Sequence, residues 1–198
     1  ELLFDDGWPT LVFAGPGAAA RIAIEDPLHL NDIDVLDPSL AAAFPMFAPG
    51  DLLISLRNIN TILVADPLLR QIKWKMTGPF FGQHDPDFMP DGKILLYDNR
   101  ITGATPKLGN SRLLAIDPAT KSVIWSFEGK GEQAFYAHGR GEQQALPNGN
   151  ILLVDPQGGR LIEIAPAVGN RTVWQWVNEV QDGFVGEVVD AERIPPGQ

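Results

Sequence analysis

One pattern returns three times in this chain, at a period near fifty residues. Thr61-Ile-Leu-Val-Ala-Asp66 runs on to Trp74 and Gly78. Arg112-Leu-Leu-Ala-Ile-Asp117 runs on to Trp125 and Gly129, and Arg160-Leu-Ile-Glu-Ile-Ala165 to Trp174. The tryptophans stand 51 and 49 residues apart by their numbers. The starts of the units align as well: Pro49-Gly50-Asp-Leu-Leu-Ile54, Asp91-Gly92-Lys-Ile-Leu-Leu96 and Asn148-Gly149-Asn-Ile-Leu-Leu153. Each unit reads as turn, apolar strand, short polar break, apolar strand, tight turn, and a strand carrying Trp. A period of about 40–50 residues with about four strands is the signature of a β-propeller blade. The fold class expected is therefore all-β, and repeated positions indicate which residues can meet at a central channel.

The unit boundaries follow from this alignment. Residues 1–28, with Leu11-Val-Phe13 and Ala20-Arg-Ile-Ala-Ile24, read as the tail of an earlier blade. Full blades are expected over about 29–78, 84–129 and 138–178, and residues 184–198 open another with Phe184-Val-Gly-Glu-Val-Val189. An Ala- and Pro-rich insertion from Pro38 to Pro49 reads as a surface loop, as does the stretch from Ile101 to Asn110. Helix signals are weak, with room for one turn within 174–182. Six blades at this period need roughly 300 residues. Either a small ring closes tightly, or the strands belong to a longer polypeptide, or another copy of the chain completes them as a homo-oligomer, because open sheet edges invite aggregation. The second reading is preferred, with these blades as part of a six-bladed ring.

Composition bounds the chemistry. Cysteine is absent from the 198 residues, which excludes disulfides, thiolate metal sites and a Cys nucleophile. The formal net charge of −10 repels nucleic acid on average. No run of about 18 apolar residues is present to span a membrane, and the opening Glu1-Leu-Leu-Phe-Asp5 has no basic leader region. Only three histidines occur, His29, His84 and His138, and each precedes the first apolar strand of its unit. A single buried His satisfied by a backbone carbonyl is the ordinary case. Three at matching places point instead to a shared site.

The most specific stretch is Phe81-Gly-Gln83-His84-Asp85, leading to Tyr97-Asp98-Asn99. Beside it stand His29-Leu-Asn31 and Ser55-Leu-Arg57. Over about residues 29–178 these motifs resemble the bacterial arylsulfotransferase family, periplasmic β-propeller enzymes that move sulfuryl groups between phenols. The resemblance implies that His84 is the histidine that becomes sulfated. It implies that His29, Asn31 and Arg57 hold the sulfuryl oxygens, and that Asn99 and His138 contact substrate. Implied partners are an aryl sulfate and a phenolic acceptor, and the implied location is periplasmic or secreted. Two departures stand out. A further active-site histidine from an earlier blade has no counterpart here, and Asp85 follows the nucleophile candidate.

The residue chemistry agrees. Sulfuryl transfer, like phosphoryl transfer, spreads charge over three equatorial oxygens with the nucleophile and leaving group in line. A neutral imidazole is a competent nucleophile for a covalent intermediate. Arg57 offers a fixed fork of donors to an oxyanion. No metal and no organic cofactor is required. Asp85-x-Asp87-x-x-x-Asp91-Gly92 lacks EF-hand spacing and reads as turn chemistry. Asn170-Arg-Thr172 matches a glycosylation acceptor only as a short pattern. The repeated tryptophans read as inter-blade packing. The competing reading is a non-catalytic propeller, a binding or scaffold module whose histidines are structural or bind a small anion; a quinoprotein-like or assembly-factor propeller is a third.

Overall fold

The computed structural model describes residues 26–101 and 109–194. The expected strands at Leu11–Phe13 and Ala20–Ile24, most of the 101–110 loop and the Pro195–Gln198 tail lie outside the described residues. Within them the chain forms three four-stranded antiparallel sheets. The first contains β1 (Leu30–Val35), β2 (Leu52–Leu56), β3 (Thr61–Asp66) and β4 (Gln71–Thr77). In the second are β5 (His84–Phe88), β6 (Ile94–Asp98), β7 (Arg112–Asp117) and β8 (Ser122–Phe127). The third holds β9 (Gln143–Ala145), β10 (Ile151–Asp155), β11 (Arg160–Ala165) and β12 (Arg171–Val177). A two-stranded hairpin follows, β13 (Glu179–Gln181) and β14 (Phe184–Val185). Each sheet runs in chain order from its first strand to its fourth, and β5 packs against β1 and β2. Residues of β1, β5 and β9 line one cleft, so the first strands of all three blades face a common axis. This is the β-propeller arrangement.

The middle strands explain the packing. In β6, Ile94 and Leu96 point one way and Leu95 and Tyr97 the other, and all four are at most 1% exposed. One face joins Leu53, Val64 and Trp74 of the first blade. The opposite face joins Phe135, Ile151, Leu153, Ile162 and Ile164 at the third. A strand buried on both faces reads as an unbroken apolar run, and that run is the repeat visible in the sequence.

Trp74 and Trp125 carry the inter-blade role expected of the repeated tryptophans, and Trp174 does not. Trp74 Nε1 donates to the Pro118 carbonyl at 2.9 Å, in the β7–β8 turn of the next blade. Trp125 Nε1 donates to Asn170 Oδ1 at 3.1 Å, in the β11–β12 turn of the blade after. Trp174 is 42% exposed and has the Arg193 guanidinium 5.6 Å from its ring centre. A second repeat is an ion pair closing β6 on β7 and β10 on β11. Arg112 Nε lies 2.7 Å from Asp98 Oδ2, and Arg160 Nη2 lies 2.6 Å from Asp155 Oδ2. Each guanidinium also reaches back to the segment entering its blade, at Pro79 O and Ala134 O, both at 2.7 Å.

Three expectations are corrected. The 38–49 insertion is not merely a surface loop: Phe44 and Phe47 are 1% and 8% exposed and pack on Phe88 and Trp74. Residues 174–182 hold no helical turn, because β12 and β13 occupy them. The strand expected over 184–189 is two residues long, since β14 ends at Val185.

Candidate functional site

His84 opens β5 opposite Tyr97 of β6, and a bulge separates it from Asp87. A matching irregularity lies between Leu30 and Asp32 in β1. Asp85 and His29 hold φ of 52° and 50° there, a conformation that costs a non-glycine residue about 1–3 kcal/mol. Bulges at a sheet rim re-aim side chains, and here Asp32, His84 and Asp85 beside the two irregularities line one cavity.

The hydrogen bonds around His84 define its tautomer. Nδ1 lies 2.7 Å from Asn99 Oδ1 and 3.1 Å from the Gly82 carbonyl. Both partners are acceptors, so Nδ1 carries the proton and Nε2 the lone pair. Nε2 accepts the backbone N–H of Arg140 at 3.1 Å. Burial lowers the His84 pKa to about 4; the Asn99 hydrogen bond opposes this, and the positive charge of Arg57 adds to it. The ring is therefore neutral at ordinary pH.

The supports of this ring come from three blades. Gly82 N donates to Asn60 Oδ1 at 2.9 Å. The Gln83 side chain, fully buried, donates to Ser55 Oγ and the Thr61 carbonyl, both at 3.1 Å. Asn31 Nδ2 donates to the Gln83 carbonyl at 2.8 Å, and its buried Oδ1 has no protein partner. Asn99 Nδ2 holds the Ala137 and Arg140 carbonyls at 3.1 and 2.6 Å. Gly141 is required where this third-blade segment crosses Tyr97, since a Cβ there would sit 2.6 Å from the ring.

The remaining expected residues fall as follows. Arg57 sits in the turn after β2, half-buried, with Nη1 donating to Asn58 Oδ1 at 3.1 Å; burial lowers its pKa, and nearby Asp26 opposes the change. The His29 ring pairs with the Asp26 carboxylate and is half-exposed. Asn31 and His84 line a cavity of about 300 Å³ together with Asp32, Asp85, Arg140 and Glu142. His29, Arg57, Asn99 and His138 do not line it. Asn99 is fully buried and engaged with the ring and the 137–140 segment, so its place is that of a positioning residue rather than a substrate contact. His138 is exposed in the loop before β9, its backbone N–H on Gln157 Oε1 at 3.0 Å. The residue that reaches His84 from the third blade is Arg140.

Sequence reasoning missed the acidic wall. A neighbouring cleft of about 510 Å³ is lined by Asp34, Asp85, Asp87, Glu142 and Asp190. Burial, reinforced by neighbouring carboxylates, raises Asp32 to about 6, Asp87 to about 7, and Asp85 and Glu142 to about 8. The available signal was Asp32-x-Asp34 and Asp85-x-Asp87 in successive units. These segments are strands without an apolar alternation, and Asp85-x-Asp87 accordingly read as turn chemistry. Among the described residues no three His, Asp or Glu side chains converge as a metal site requires.

A family model described as "Arylsulfotransferase (ASST)" matches residues 15–179. The chain belongs to the arylsulfotransferase family. No curated protein matches the chain. Among solved structures, the Dos1 propeller aligns over 88% of this chain and 39% of its own, at 10% identity and TM-score 0.54. Apo AztD from Citrobacter koseri aligns over 64% of this chain and 31% of its own, at 13% identity and TM-score 0.44. The first likeness concerns the fold alone. This arylsulfotransferase-family chain thus spans about a third to two-fifths of those two proteins. Its match covers the site residues from Asn31 to Glu142, and Asp190 lies beyond it.

Proposed function

We propose that this family member transfers a sulfuryl group from an aryl sulfate to a phenol through His84. The observation that carries the reading is the state of the His84 ring. Its Nδ1 proton is held by Asn99 and Gly82, which leaves Nε2 as a lone-pair nitrogen at a cavity shared with Asn31. In the first half-reaction Nε2 attacks sulfur, the N–S bond forms, and the ester O–S bond breaks with its electron pair going to the aryl oxygen. In the second, a phenol oxygen attacks sulfur and the pair returns to Nε2. Arg57 supplies positive charge near the ring, and the second N–H of Asn31 Nδ2, whose first is on the Gln83 carbonyl, serves the sulfuryl oxygens. The Arg140 amide must leave Nε2 before attack, since it occupies the lone pair. Within this reading the three blades are part of a larger, six-bladed ring in a periplasmic or secreted protein.

One observation favours a second reading. Both nitrogens of His84 are engaged within the protein, as suits a non-catalytic binding propeller. The two readings part on one experiment. The complete protein is incubated with 4-nitrophenyl sulfate, and its peptides are weighed by mass spectrometry. Transfer predicts a sulfuryl adduct on the peptide containing His84, abolished in His84→Ala. An unlabelled wild-type protein supports the binding module, and full activity in His84→Ala sinks the nucleophile assignment.

A further inference from the structure

Transfer between two phenols needs a proton carrier, and the residues named so far supply none. The departing aryl oxygen takes up a proton in the first half-reaction, and the incoming phenol gives one up in the second. His84 Nδ1–H is held by Asn99 and Gly82, while Nε2 forms the bond to sulfur. The His29 ring is tied to Asp26 and does not line the cavity. Asp85 lines it, but its Oδ2 is committed to the Gln143 backbone N–H at 2.7 Å.

Resting on the sulfuryl-transfer reading, we propose that Glu142, which lines the His84 cavity together with Asp190, is the general acid and base of the reaction. Both carboxyl groups line the 300 Å³ cavity with His84 and Asn31. Two carboxyl groups on one cavity wall do not ionise together readily, because like charges close to each other disfavour it. Glu142 also stands two residues beyond Arg140, whose amide covers Nε2. The segment that must move for attack therefore carries the acid with it. The raised Glu142 pKa of about 8 agrees, since it leaves the carboxyl protonated at neutral pH before the donor arrives. The proton passes from Glu142 to the aryl oxygen as the O–S bond breaks. The resulting carboxylate accepts the phenol proton as the new O–S bond forms, and the resting state returns. No other reactant is consumed.

The test uses leaving-group dependence in the complete protein. A general acid matters most when the leaving oxygen is basic. Glu142→Gln is expected to slow His84 sulfation by phenyl sulfate roughly 100-fold, and by 4-nitrophenyl sulfate less than about tenfold; Glu142→Asp should restore part of the loss. Equal losses with the two donors overturn the proposal while leaving sulfation of His84 intact. If wild-type His84 is never sulfated, the transfer reading falls and takes this proposal with it. A second variant covers the case in which Glu142→Gln does not fold. Glu142 faces Asp190, Asp85 and Asp32, with Arg140 and His84 in the same cavity. Asp190→Asn removes one of the negative charges that raise its pKa, so the alkaline fall in phenyl sulfate turnover should move to lower pH. An unmoved limb overturns the assignment.

Discussion

At the scale of single residues, the site is organised by hydrogen bonds that choose a tautomer. Asn99 is the decisive side chain, since one amide both fixes Nδ1 of His84 and anchors the carbonyls of Ala137 and Arg140. The charge of Arg57 acts on the same ring from the first blade, and it disfavours the imidazolium. Replacing Arg57 by Gln should therefore raise the His84 titration midpoint above its value of about 4, followed by imidazole proton shifts in NMR; an unchanged or lower midpoint contradicts the placement of Arg57. The depressed value also means that the neutral ring persists well below pH 6, so sulfation at His84 should survive mild acid and fall only near pH 4. His138 illustrates the limit of reading by position. Its spacing matches the other histidines, but the loop before β9 carries it outward and brings the Arg140 amide inward.

Among the elements, the first strand of each blade and the insertion behave differently from their sequence character. β1 and β5 carry Asp32, Asp34, Asp85 and Asp87, and Asp is a poor strand former. They are strands because β2 and β6 offer paired edges, and because their side chains point into a shared cleft rather than a core. The insertion reverses the expectation the other way. Its Phe47 packs edge-on against Trp74 and tilted against Phe88, with ring centres 6.3 and 6.0 Å away. Phe47→Ala should cost about 3–5 kcal/mol by chemical denaturation, whereas a surface-loop residue would change stability by about 0.5 kcal/mol or less.

Across the whole molecule, the acidic wall governs how stability depends on pH. Asp32, Asp85, Asp87 and Glu142 all have folded values raised above the ordinary carboxylate range. For each, the stabilising contribution is complete below the unfolded value of about 4 and is lost as pH rises through the folded value of about 6 to 8. His84 works in the opposite direction between about 4 and its ordinary 6.5, since the unfolded ring binds the proton more readily. Four carboxyl groups outweigh one imidazole, so the melting temperature should fall from pH 5 to pH 8. Asp85→Asn should flatten the slope and raise the melting temperature at pH 8. A profile that rises steadily over this range would falsify the burial of these charges.

Taken alone, the sequence determined the blade. Its unbroken apolar runs at β2, β6 and β10, its turn residues and its repeated Trp follow from strand burial on two faces, which is a local property that recurs with the unit. Motif residues also pointed to the region of the candidate site, because Gln83-His84 and Tyr97-Asp98-Asn99 lie close in the chain. Tertiary structure alone decided which groups meet there. Arg140, Glu142 and Asp190 come from beyond the second blade, and their approach to His84 depends on how the third blade is set beside it. Asn99 became a positioning residue for the same reason: its amide is consumed by contacts across 38 and 41 residues of chain. Carboxyl groups that look solvated in sequence have their pKa raised by burial and by one another when the blades bring them together, and no local pattern records that distance.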